Sequence, residues 1–185
     1  DEIIKRIRMA EEAGAVAVGV DLDGAGLVTM KLFGQPVGPK SLKDLKELVS
    51  STKLPFIAKG IMSVDEALAC VEAGVDTIVV SNHGGRVLDY CQASCDVLEE
   101  IVKAVGDKIN VLVDGSVREG ADVLKYLALG AKGVLVGRPL IWGSVGGRKE
   151  GVVTIMNTLK NQLTQAMILT GSEDVKNISR KIIVK

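Results

Sequence analysis

The sequence predicts an α/β fold built on a parallel sheet, and three observations carry that reading. Short runs of Val, Ile, Leu and Ala alternate with amphipathic segments of helical period, the pattern of parallel strands joined by helical crossovers and buried on both faces. A repeat lies on top of this alternation: Gly14, Gly74 and Gly130 each end a helical segment, and the residue seven positions after each (Asp21, Ser81 and Gly137) ends an apolar run. The polar residues are also gathered in one part of the pattern. Asp21, Lys59, His83, Arg86, Asp114 and Arg138 all fall at or just past the carboxyl end of a strand-like run, the edge at which parallel α/β sheets hold their ligands.

Taken in order, Ile3 to Ala13 reads as a helix with Ile3, Ile4, Ile7 and Ala10 on one stripe and Gly14 as its stop. Counted from Asp1 it looks like a helix joined midway, which leads to the expectation that the chain is part of something longer. Ala15 to Val20 reads as a strand ending at Asp21, followed by the Gly-rich loop Asp23-Gly24-Ala25-Gly26 and an irregular stretch through Pro36 and Pro39. Ser41 to Val49 is an amphipathic helix, and Pro55 to Ala58 a short strand that delivers Lys59 and Gly60. Ser63 with Glu66 forms a capping box, so a helix runs from there to Ala73. Thr77 to Val80 is a strand, and Val97, Leu98, Ile101, Val102 and Val105 mark the next helix, closed by Gly106. Ile109 to Val113 delivers Asp114-Gly115, Asp122 to Leu129 is helical, and Val134 to Val136 delivers Gly137-Arg138-Pro139. A long amphipathic helix, Val152 to Leu169, follows.

Composition narrows the function. At 185 residues and 47% hydrophobic, residues 1–185 form one domain with a sizeable core. Lys plus Arg and Asp plus Glu are 23 each, and aromatics are 3%. The chain therefore has neither the charge for nucleic acid or an anionic membrane nor the stacking platforms for bases. No apolar run approaches the roughly 20 residues of a membrane span. The three cysteines, Cys70, Cys91 and Cys95, suit a reducing cytoplasm better than a disulfide framework. Cys91 and Cys95 have the spacing of one helix face, but the single histidine lies elsewhere and completes no zinc set, so no metal is expected.

The chemistry centres on Ser81-Asn82-His83-Gly84-Gly85-Arg86. Histidine, with an unperturbed pKa of about 6.5, takes and returns a proton near neutrality, and Arg86 is a permanent cation three residues on. From the residues alone, a packed histidine beside a surface arginine explains the pair as well as a catalytic role does. Two other strand ends look built for phosphate. Asp114-Gly115-Ser116-Val117-Arg118 and Gly137-Arg138 put small residues and a guanidinium at strand-to-helix junctions, where backbone N–H groups and the helix dipole favour an anion.

Three segments together resemble a known family. They are Val79 to Asp89 through Ser81-Asn82-His83-Gly84-Gly85-Arg86, Asp114-Gly115-Ser116-Val117-Arg118-Glu119-Gly120-Ala121-Asp122 with Val123 to Lys125, and Leu127 to Pro139 through Gly130-Ala131-Lys132-Gly133 and Gly137-Arg138. They are similar, in order, to the FMN-dependent α-hydroxy-acid oxidases and dehydrogenases, the glycolate oxidase and lactate oxidase type. The resemblance implies a TIM (β/α)8 barrel of which this chain covers roughly the last five βα units, with a further amino-terminal barrel segment outside it. A five-stranded piece alone would expose two edges and is expected to pair or aggregate. It implies an enzyme that uses FMN to oxidise a small L-2-hydroxy acid, of lactate or glycolate type, to the 2-oxo acid, in a homo-oligomer with a tetramer favoured.

Residue by residue, the resemblance implies that His83 is the base, that Arg86 binds the substrate carboxylate, and that Asp21 pairs with His83 and stabilises its imidazolium. Lys59 and Ser81 match flavin-contacting residues, and Asp114, Gly115, Ser116, Val117, Arg118, Gly137 and Arg138 match the ribityl and phosphate segments. The chain departs from the family at Gly19, usually threonine, and at Ser116, usually glycine, where a positive φ would mean strain. Residues 23–34 also lack the arginine that holds substrate in many members, and Lys31 is the cation there. Two other readings, a type 2 isopentenyl-diphosphate isomerase or related phosphate-binding barrel and a non-catalytic barrel fragment, fit less well. The Ser81 to Arg86 loop is unlike the first, and bound flavin would exclude the second.

Overall fold

The computed structural model describes residues 2–35 and 37–184; Asp1 and Pro36, named above, lie outside the described residues. Five strands, β1 (Val18–Asp21), β2 (Phe56–Ile61), β3 (Thr77–Val80), β4 (Asn110–Val113) and β5 (Gly133–Val134), form one sheet in chain order with all neighbours parallel. Between and around them run α1 (Glu2–Glu12), α2 (Val28–Leu32), α3 (Leu42–Ser50), α4 (Val64–Ala73), α5 (Ser94–Val105), α6 (Gly120–Ala128) and α7 (Arg138–Thr170). This is the predicted alternation of strand and helix. The local signals also operate as read: Ser63 and Glu66 close a capping box on α4, and Gly74 ends that helix at φ 82°.

The core lies where α1 and α3 to α6 cover the sheet, around Leu48, Phe56, Ala58, Ile78, Leu98, Ile101 and Val111. Burial on both strand faces is seen only in the middle of the sheet. Ile78, Val79 and Val80 of β3 are all buried, whereas in β2 Phe56 and Ala58 are buried and Ile57 and Lys59 are partly exposed. The second face of the outer strands is instead left to the site and to open cavities, one of about 670 Å³ beside β1.

Other elements differ from the sequence reading. The stretch after β1 is not wholly irregular but contains a 3-10 turn, Asp23–Gly26, and the short α2. The last helix begins not at Val152 but at Arg138, and it breaks at Gly147 (φ −151°, ψ 17°) and Arg148 (φ 49°, ψ −131°). α7 packs closely on α6, since a Cβ at Gly120 would collide with the α7 backbone at Leu163, and the Gly120 N–H donates to Gln162 Oε1 at 3.0 Å. Cys91 precedes α5, so it shares no helix face with Cys95. All three cysteines are free thiols. Among the described residues no helix is long and apolar enough to cross a membrane.

Candidate active site

The ends of β1 and β2 are register partners at Asp21 and Lys59, so their side chains leave the same face of the sheet. Lys59 Nζ lies 3.0 Å from Asp21 Oδ1 and 3.7 Å from Asp114 Oδ2. The carboxylate on His83 is a different one. His83 Nδ1 is 3.1 Å from Asp23 Oδ2 and 3.3 Å from Asp23 Oδ1, so the expected pairing of Asp21 with His83 is corrected to Asp23.

The reason lies in the turn. Leu22 N–H donates to Lys59 O at 2.8 Å, and the 3-10 turn that begins at Asp23 swings its side chain over the β2 irregularity at Gly60. Gly60 has φ 96°, and a Cβ there would sit 2.5 Å from Asp23 Cγ. Asp21, one pleat earlier, is left to neutralise Lys59. One carboxylate oxygen each from Asp21 and Asp23 and a ring nitrogen of His83 lie within 4.8 Å of one another, and the Lys59 ammonium supplies positive charge beside them.

His83 is held by its loop as well as by Asp23. Its N–H donates to Ser81 Oγ at 3.1 Å, and Ser81 is fully buried, so that hydroxyl braces the loop from beneath. Asn82 accepts from Gly84 N–H at 3.0 Å and donates to Gln92 O at 3.1 Å. These bonds hold His83 at φ 55°, a conformation that costs a non-glycine residue about 1 kcal/mol or more and persists where surroundings impose it. His83 is not a core histidine, because it lines two cavities.

One of these, about 240 Å³, collects most of the expected site: Lys59, His83, Arg86, the segment Asp114 to Arg118, Gly137 and Arg138. Arg86, Arg118 and Arg138 are exposed, and none pairs with a carboxylate among the described residues. Three uncompensated guanidiniums around one cavity favour an anionic ligand. Asp114 Oδ1 is buried without a hydrogen-bond partner, an acceptor that a ligand hydroxyl would satisfy. Ser116 takes φ 52° and Gly115 φ 115°, so Ser116 stands in the strained conformation where the family usually has glycine. At Gly19 a Cβ would lie 2.9 Å from Ile57 O, so the usual threonine would force β1 and β2 apart.

Comparison with known proteins gives the family. Residues 10–185 match the family described as FMN-dependent dehydrogenase. The chain belongs to that family. It is 50% identical over 140 residues to a peroxisomal (S)-2-hydroxyacid oxidase of Arabidopsis thaliana, covering 76% of this chain and 39% of the relative. It is 44% identical over 160 residues to an L-lactate oxidase of Nostoc sp., covering 86% and 43%. A solved mandelate oxidase mutant with (S)-mandelic acid superposes with a TM-score of 0.87 at 36% identity, over 96% of this chain and 57% of that one. The chain thus forms part of a TIM barrel and spans about two-fifths of the curated relatives it matches.

For a member of the FMN-dependent dehydrogenase family, the residues present fit the cofactor. The orphaned Asp114 Oδ1 suits a ribityl hydroxyl, and Arg118, Arg138 and the amides after β4 and at the start of α7 suit a phosphate. Three supporting residues escaped the sequence reading. Asp23 sits two residues past the strand end in Asp-Leu-Asp, the one signal that pointed to it. Tyr126 donates to Gly115 O at 2.8 Å, and burial pushes its pKa up to about 12, so it remains a donor. Trp142 stacks on Arg118.

Proposed function

We propose that this chain carries the catalytic half of an FMN-dependent oxidase or dehydrogenase that converts a small L-2-hydroxy acid, of lactate or glycolate type, to the 2-oxo acid. The observation that carries the reading is the His83–Asp23 pair, at 3.1 Å, with His83 on the wall of the cavity that also holds Lys59 and the three uncompensated guanidiniums of Arg86, Arg118 and Arg138.

Oxidation of the hydroxy acid releases two electrons and two protons, and bound FMN would supply the acceptor for both electrons and for the proton that His83 does not take. His83 takes a proton from the substrate at Nε2, the ring nitrogen that Asp23 leaves open. Asp23 fixes the tautomer beforehand and faces the imidazolium afterwards. Arg86 binds the substrate carboxylate, where its planar fork suits two oxygens. Lys59, held by Asp21, presents a fixed cation to the pyrimidine edge of the ring. Asp114 to Arg118, Gly137 and Arg138 bind ribityl and phosphate, while Ser81 acts on the flavin side through the backbone of the loop it braces.

The free thiols suit the reducing cytoplasm, although the Arabidopsis relative is named peroxisomal. The two open sheet edges call for the remaining barrel strands, and the assembled protein is read as a homo-oligomer, a tetramer by resemblance. A visible spectrum of the purified protein tests the proposal. Flavin bands that co-purify, or that appear on adding FMN, are expected, and a protein that neither carries nor takes up FMN refutes it.

A further inference from the structure

We propose that Trp142 is a positioning residue for the phosphate end of the cofactor, acting through Arg118 without touching the ligand. The inference rests on the FMN reading above and extends it to a residue outside the expected site.

Trp142 is the single tryptophan of the chain and stands on the first turns of α7, the helix whose amino end carries Gly137 and Arg138. It remains 55% exposed, so it contributes little to the core, in contrast to Pro139 three residues earlier, which is buried. What its ring does contact is Arg118, whose Cζ lies 5.0 Å from the ring centroid. Arg118 is exposed, has no carboxylate partner among the described residues, and spends one donor on Val117 O at 2.8 Å.

An exposed arginine loses rotamer freedom when it captures an anion. Stacking on one side and the Val117 bond on the other remove much of that freedom in advance, and a guanidinium, unlike an ammonium, can stack on the ring and still present its edge N–H groups to phosphate. The stack also ties two parts of the chain that must meet at the phosphate: the loop after β4 and the start of α7.

The experiment is equilibrium titration of the flavin-stripped protein with FMN and, separately, with riboflavin, followed by flavin fluorescence. Trp142→Leu is expected to weaken FMN binding roughly three- to tenfold, to leave riboflavin binding unchanged, and to have no further effect in an Arg118→Gln background. Trp142→Tyr, which keeps an aromatic face, is expected to bind FMN nearly as the parent does. Unchanged FMN affinity in Trp142→Leu, an equal loss for riboflavin, or an undiminished effect without Arg118 would each overturn the proposal. These outcomes are separate from failure of the FMN reading, which would show as a parent protein that binds no FMN at all and would remove both.

Discussion

Asp23 Oδ2 stands 3.1 Å from His83 Nδ1, while Asp21 Oδ1 stands 3.0 Å from Lys59 Nζ. Two aspartates separated by one leucine are therefore assigned to two different partners, the His83 imidazole and the Lys59 ammonium. Asp23→Asn would leave the shape of the pair but offer His83 an amide in place of a charge, disfavouring both the required tautomer and the imidazolium. The expected result is a loss of about a hundredfold or more in the rate of flavin reduction by substrate, with Asp23→Glu recovering part of it. Asp21→Asn is expected to cost less than tenfold, because Lys59 keeps Asp114 as a neighbour. Anaerobic stopped-flow reduction of the flavin-loaded variants measures both.

Gly60 makes room for Asp23. At φ 96°, with a would-be Cβ 2.5 Å from Asp23 Cγ, Gly60→Ala is strained and pushes the carboxylate off His83. A loss of about 1–3 kcal/mol in denaturant unfolding is expected, together with a fall in reduction rate in the direction of Asp23→Asn.

Much of this site was legible in the sequence. The positions of Lys59, His83, Asp114 and Arg138 at strand ends follow from chain alternation, which any parallel sheet converts into one shared edge. The partner of His83 was not legible, because it depends on a 3-10 turn after β1 and on the β2 irregularity at Gly60, neither of which has a periodic signature. The start of α7 was missed for a related reason. Gly143, Gly146, Gly147 and Gly151 interrupt the helical period before Val152, whereas the structure carries the helix through them from Arg138 with a local break at Gly147 and Arg148.

That break leaves a residue to improve. Arg148 adopts φ 49° and ψ −131°, a region that glycine occupies without cost. Arg148→Gly is expected to stabilise the protein by about 1 kcal/mol, raising Tm by roughly 2–4 °C. Ser116→Gly, relieving φ 52°, should gain a similar amount. Differential scanning calorimetry reads both, and lowered melting temperatures would show that these side chains contribute more than their backbones cost.

Tyr126 gives a pH dependence of known sign. Its pKa is raised from 10.0 to about 12, first by burial and then by nearby Cys95 and carboxylates. The unfolded chain therefore gives up this proton first as the pH rises. The contribution of Tyr126 is fully present below pH 10 and is lost between about pH 10 and 12, at up to about 1.4 kcal/mol per pH unit. Tyr126→Phe should be less stable than the parent at pH 8 through loss of the bond to Gly115 O, and the difference should shrink above pH 10. Urea unfolding across that range measures it.

The most direct test is anaerobic mixing of the FMN-loaded protein with L-lactate or glycolate. Bleaching of the flavin bands by substrate is expected, with its abolition in His83→Gln while the flavin stays bound. Bands that no 2-hydroxy acid bleaches, or a His83→Gln protein reduced as fast as the parent, would contradict the account.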